Sequence, residues 1–118
     1  MIRFENHLGV IEISQSFFAT LIGTTASSCF GVAGMANSNA RQGIRSLISK
    51  NGNFADQGIS VKKDGNGLIV DLHIIVTYGL NISAICQSIV NKVRYTVEEA
   101  TGLEVRKVNV YVDGMKGE

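Results

Sequence analysis

Asp64-Gly65-Asn66-Gly67-Leu68-Ile69-Val70-Asp71-Leu72-His73-Ile74-Ile75-Val76-Thr77-Tyr78 is the stretch that decides the fold. It opens on a hairpin turn, because two glycines and an asparagine supply the positive φ values a tight β-turn needs. Leu68, Val70, Leu72, Ile74, Val76 and Tyr78 then share one face of a strand. Ile69, Asp71, His73, Ile75 and Thr77 share the other. The first face reads as core. The second reads as partly open, the usual state of an antiparallel sheet with helices on a single side.

Upstream of the turn, Gly58-Ile59-Ser60-Val61-Lys62-Lys63 alternates as the other arm of the hairpin. Downstream, Asn81 or Ser83 caps a long helix whose inward stripe is Ile82, Ile85, Cys86, Ile89, Val90, Val93, Val97 and Ala100. Its outer face carries Gln87, Asn91, Lys92, Arg94, Glu98 and Glu99, and Gly102 closes it. A last strand runs from Leu103 to Asp113. Its apolar phase slips by one residue around Arg106-Lys107, which predicts a β-bulge there. The helix joins two strands that lie parallel, through a right-handed crossover.

The N-terminal part reads differently. Between Glu12 and Arg41 there is no charged side chain at all. A short strand, Gly9-Val10-Ile11-Glu12-Ile13, leads to Ser14 or Ser16 as a helix cap. Phe17, Phe18, Leu21, Ile22, Thr25, Ala26 and Cys29 follow at helical spacing. The far face of this helix is Thr20, Gly23, Thr24, Ser27 and Ser28, and Gly31 is placed to end it. A face of small uncharged residues lets another backbone approach closely. Beyond the turn Gly31-Val32-Ala33-Gly34, a short helix is expected over residues 40–50, with Ile44, Leu47 and Ile48 inward and Arg41, Arg45 and Lys50 outward. The reading is an α+β two-layer fold over residues 1–118 as a single domain. Its order is β-α-α-β-β-α-β, with a small mixed sheet and the helices packed on one face.

Composition excludes several function classes. The chain has 118 residues, 45% apolar, and a net charge of +1. That length suits one globular domain with its own core, and the charge balance argues against a general nucleic-acid binder. The uncharged segment is interrupted by Gln15, Ser16, Thr20, Thr24, Thr25, Ser27 and Ser28, so it is not read as a transmembrane helix. The N-terminus lacks a signal-peptide core, and the chain is read as cytoplasmic. Cys29 and Cys86 are read as free, packed thiols.

No residue set looks catalytic. His7, His73, Cys29 and Cys86 show no zinc spacing, and neither a metal nor a cofactor is expected. His73 shares a strand face with Asp71, which could be a base and its orienter. Without a nucleophile, a polar pair on an open sheet is the better reading. Glu98 and Glu99 are adjacent on a helix and point about 100° apart, so they cannot converge. Gly31-Val32-Ala33-Gly34 does reproduce the GxxG element of a K-homology RNA-binding module, where that turn clamps the nucleic-acid backbone. The central pair is Val-Ala rather than basic, and only Arg41 and Arg45 are near in sequence.

Several stretches together resemble the alkaline shock protein family, or Gls24-like envelope stress response proteins, of Gram-positive and related bacteria. They are Gly9-Val10-Ile11-Glu12-Ile13-Ser14, Phe30-Gly31-Val32-Ala33-Gly34-Met35 and Gly58-Ile59-Ser60-Val61. The run Leu72-His73-Ile74-Ile75-Val76-Thr77-Tyr78-Gly79-Leu80-Asn81-Ile82 and the segment from Val90 to Leu103 complete the match, with Val108-Asn109-Val110. The short length looks like the compact housekeeping subgroup. The resemblance implies a non-enzymatic, cytosolic protein linked to envelope homeostasis. In some members it implies self-association and a small membrane-anchored partner, while others are connected with lipid or fatty-acid metabolism. The family defines no catalytic residues, so none transfers.

Two functions follow as expectations. The first is an envelope-stress interaction protein that self-associates and docks partners. Its candidate interface is Thr20, Gly23, Thr24, Ser27 and Ser28 on the first helix, with Ile69 and Ile75 on the open sheet face. The alternative is an RNA-binding module using Gly31, Gly34, Arg41 and Arg45.

Overall fold

A computed structural model describes residues 2–35 and 58–117 of the chain. Its organising element is β5 (Gly67–Thr77). On one edge of β5, β6 (Glu104–Lys116) pairs in parallel along the whole strand, from Gly67↔Glu104 to Thr77↔Lys116. The other edge is shared end to end. There β4 (Ile59–Asp64) takes the Gly67–Leu72 half and β3 (Val32–Met35) the Ile74–Val76 half, both antiparallel. The sheet is therefore mixed. Its helices are α1 (Gln15–Ser27) and α2 (Ile82–Thr101), and α2 is the crossover between the parallel strands.

The alternation of β5 explains the layering. Leu68, Val70, Leu72, Ile74 and Val76 are completely buried, while Ile69, Asp71, His73 and Ile75 are half-buried on the opposite face. Phe18, Ile22 and Ala26 of α1 and Ile85, Ile89, Val93 and Val97 of α2 close the core over the first set. Each fully buried Leu, Ile, Val or Phe contributes roughly 1.5–3 kcal/mol. Ser14 caps α1, accepting from Phe17 N–H at 3.1 Å, and Asn81 caps α2, accepting from Ala84 N–H at 3.0 Å. Gly102, at φ 74°, ends α2 in the left-handed conformation.

The α+β, two-layer expectation holds, and so does the slip in β6, whose register skips Arg106 between Leu68↔Val105 and Ile69↔Lys107. Several details differ. Gly9–Ile13 is not the first strand but the second arm of a hairpin with β1 (Ile2–Asn6), which forms a separate two-stranded sheet. Ile2, Phe4, Ile11 and Ile13 share its apolar face through the pairs Ile2↔Ile13 and Phe4↔Ile11. A two-residue turn closes it, with Leu8 N–H donating to Asn6 Oδ1 at 2.7 Å. Tyr78 lies past the end of β5 and is exposed, as is Ala100 on α2, so neither joins the core. Phe17, expected on the buried stripe of α1, is 44% exposed.

The larger correction concerns Gly31–Gly34. These residues do not form a turn between helices. The first helix already stops at Ser28, where Cys29 N–H bonds Ala26 O at 3.0 Å, and Val32–Met35 is strand β3. The cause is the length of β5: β4 covers only part of its edge, and the exposed remainder offers backbone partners to the next extended segment. Gly31 O accepts from Thr77 N–H at 2.8 Å to start that pairing. At φ 87°, Gly31 has the backbone freedom this entry requires, and a methyl group there would lie 2.5 Å from Ile85 Cδ1. The expected helix over residues 40–50, with Arg41 and Arg45, lies outside the described residues. No described helix is long and apolar enough to cross a membrane.

Candidate functional site

The open face of the sheet gathers the polar and half-buried residues of three strands. Its polar groups pair across the β5–β6 seam. Asn109 Nδ2 donates to Asp71 Oδ1 at 2.8 Å, and Lys62 of β4 approaches the same carboxylate at 3.8 Å. One step along, His73 stacks on Tyr111, with ring centroids 4.7 Å apart and planes 19° from parallel. His73 Nδ1 and Asp113 Oδ2 lie 2.9 Å apart. His73 is therefore oriented by Asp113, and Asp71, its neighbour in sequence, is engaged elsewhere.

The parallel register makes this ladder. Asp71↔Asn109 and His73↔Tyr111 are direct partners, and a second register shift between Val112 and Gly114 sets Asp113 apart as an extra residue beside His73. The sequence carried half of that signal, since Asn109 and Tyr111 occupy the polar phase of the last strand. The second bulge had no signature in the apolar pattern. The described hydrogen bonds of His73 bring no hydroxyl or thiol nucleophile to it. Among the described residues, no three His, Cys, Asp or Glu side chains converge as a metal site.

Ile75 occupies a different setting. Its partners on the two sides are Gly34 of β3 and Gly114 of β6. Among the described residues, neither position has an atom within 4 Å of where a Cβ would stand. The isoleucine thus projects between two hollows floored by backbone, next to the stacked His73–Tyr111 pair. An apolar side chain of a partner could fill either hollow, bury Ile75 and gain roughly 25 cal/mol for each Å² removed from water. Ile69, farther along, lies between Lys62 and Lys107 and offers less open apolar surface.

The α1 part of the candidate interface lies on the other layer. Thr20, Thr24, Ser27 and Ser28 are exposed there, on the helical side of the sheet, so they cannot form one surface with Ile69 and Ile75. Internal packing explains part of this face. A methyl at Gly23 would come within 3.3 Å of Ile59 Cδ1, and Ser28 Oγ turns back to donate to Thr25 O at 2.8 Å. Gly31 faces α2 and Gly34 lies within a strand, so the clamp needed for RNA is not formed by these glycines.

The hairpin adds a surface that sequence reasoning missed, because β1 went unrecognised. Its apolar face runs from buried Ile2 outward to Ile11, 61% exposed, and to Leu8 at the tip, 83% exposed. Both cysteines are free, and Cys29 is buried. Partial burial pushes the Cys86 thiol up from its ordinary pKa, which lowers its thiolate fraction and its reactivity.

Comparison with known proteins places these features in a wider set. Residues 3–117 match the alkaline shock protein 23 (ASP23) family, which has a cell envelope-related function. The chain is 36% identical over 116 residues to the uncharacterized protein YloU of Bacillus subtilis, across 98% of this chain and 95% of that one. It is 38% identical over 109 residues to the uncharacterized protein Spy1614 of Streptococcus pyogenes, across 92% of this chain and 88% of that one. A second Bacillus subtilis protein, the uncharacterized YqhY, is 27% identical over 112 residues, across 95% of this chain and 81% of that one. No solved structure matches.

Proposed function

Because the chain belongs to the alkaline shock protein 23 family, with its cell envelope-related function, we propose that it is a non-enzymatic docking protein of envelope stress and homeostasis. It works by self-association and by binding a protein partner on the open sheet face. The supporting observation is Ile75, held between Gly34 and Gly114 beside the fixed His73–Tyr111–Asp113 group. A surface that is half apolar and, among the described residues, free of converging catalytic groups suits recognition better than turnover. Attachment to the envelope runs through that partner, which is membrane-anchored in the simplest version of the reading.

The test is recovery of partners from the source cell with membranes retained, using the native chain and Ile75→Asp side by side. The variant charges the centre of the face and leaves the core untouched. The reading expects a partner held by the native chain and lost from the variant, with unchanged circular dichroism. Identical recoveries from both would overturn the open face as the docking surface.

A further inference from the structure

The outer edge of β6 is a surface separate from the open sheet face. Among the described residues, β6 pairs with β5 on one edge and with nothing on the other. An unpaired edge presents a row of N–H and C=O groups, and a long one invites another strand. Between its two register shifts β6 carries the uncharged run Val108-Asn109-Val110-Tyr111-Val112. Val108, Val110 and Val112 oppose the buried Val70, Leu72 and Ile74, so they point toward the helical layer. All three are nevertheless only half-buried. Among the described residues, the helices do not cover their outer flank.

We infer that this edge pairs antiparallel with the β6 edge of a second copy, about a two-fold axis at Val110. The inference rests on the self-association half of the function proposed above. The argument is charge complementarity. With Val110 opposite Val110 of the second copy, Val108 faces the second copy's Val112 and Asn109 faces its Tyr111. Lys107 then faces its Asp113, and Glu104 faces its Lys116. Lys107 opposes Ile69, and Asp113 reaches His73, so both lie on the open face and meet across the seam.

Neighbouring registers lose this match. Moving the axis one residue toward the C-terminus sets Arg106 against the second copy's Lys116. Moving it one residue the other way sets Lys107 against Tyr111 and Glu104 against Gly114. Opposite charges facing each other stabilise a pair of strands and like charges weaken it, so the flanking charges select one register. An axis perpendicular to the sheet keeps both helical layers on one side, and the exposed flanks of Val108, Val110 and Val112 become buried along the seam.

The experiment is a charge-reversal pair read by sedimentation velocity over a concentration series at low ionic strength. Lys107→Asp places Asp opposite Asp at both ends of the seam, and Asp113→Lys places Lys opposite Lys. Each variant alone is expected to have a dimer dissociation constant raised about tenfold or more, so its monomer–dimer midpoint moves to about tenfold higher protein concentration. Mixed in equal amounts, they restore opposite charges at both ends and recover the native dimer. Amide exchange supplies a second readout on the native chain, with protection at residues 108–112 rising with protein concentration. Single variants that dimerise like the native chain, or a mixture that fails to recover, would overturn the β6 seam. Native self-association through that result would leave the self-association half of the proposed function standing on another surface, whereas a strictly monomeric native chain would remove the seam and that half together, leaving partner docking on the open face to its own test.

Discussion

The two edges of the sheet are built in opposite ways. The β4–β3 edge is divided between two short strands, and a side chain closes its middle. Gln15 of α1 donates from Nε2 to Val61 O at 2.7 Å and accepts from Val61 N–H at 3.3 Å, pairing with β4 as another strand would. At the end of β4, Lys63 Nζ donates to Arg3 O at 2.8 Å and lies 4.9 Å from the Phe4 ring, which ties the hairpin on beside it. The β6 edge is one long strand with no such cover among the described residues. It carries only bulges and flanking charges. Covering an edge forbids all pairing, whereas bulges and charges forbid most registers and can leave one. On the inference drawn above, the difference leaves self-recognition to β6 and core closure to the other side.

Leu72→Ala is the harshest break of this comparison, because Leu72 pairs with Ile59 on the closed side and Val110 on the open side and is completely buried. Removing its side chain should cost about 2–5 kcal/mol. Denaturant unfolding should show a lower midpoint with an unchanged slope, and both edges should loosen together in amide exchange. Loss confined to one edge would mean that β5 does not couple them.

Gly31→Ala should act on one side only. The new methyl meets Ile85 and the backbone stays at positive φ, so a loss of roughly 2–3 kcal/mol is expected from strain and overpacking together. Exchange should rise first at β3 and its Ile74–Val76 partners, with β6 amides little changed. Equal loosening of β6 would contradict the separate roles of the two edges.

These contrasts follow how much of the molecule was legible in sequence. The alternation in β5 and the stripe of α2 are period signals, and both were readable because each buries one face against a single neighbour. Arg106 betrayed its bulge because the apolar phase changed around it. Asp113 did not, since a polar residue already stood there and no phase was broken. Gly31–Gly34 misled for a related reason. Its glycines are compatible with a turn, and only the uncovered length of β5, a fact of tertiary pairing, draws Val32–Met35 into the sheet. The candidate interface was split in the same way. Residue types identified exposed small or apolar groups, but the layer each belonged to depended on the sheet. Sequence also joined His73 to Asp71 by proximity, where the parallel register joins it to Tyr111 and Asp113.

The smallest expected effect is the most telling about the edges. Gln15→Leu keeps the size of the side chain and removes both bonds to Val61, so the loss should be roughly 1–3 kcal/mol. Val61 is only 3% exposed, so its freed N–H and C=O find little water, and the cost comes from leaving them unpaired. Its exchange should nevertheless speed up markedly, since the amide loses its only described cover. With those two bonds gone, the Val61 backbone groups are unpaired, and a second copy that displaces the leucine gains them as partners, so closed dimers can extend into larger assemblies. Sedimentation should therefore show species beyond the dimer in Gln15→Leu, and combining it with Lys107→Asp should remove the dimer while leaving association through β4. An unchanged distribution would show that charge on Lys62 and Lys63 guards the β4 edge without the glutamine, and that the side-chain amide serves only to hold α1 in place.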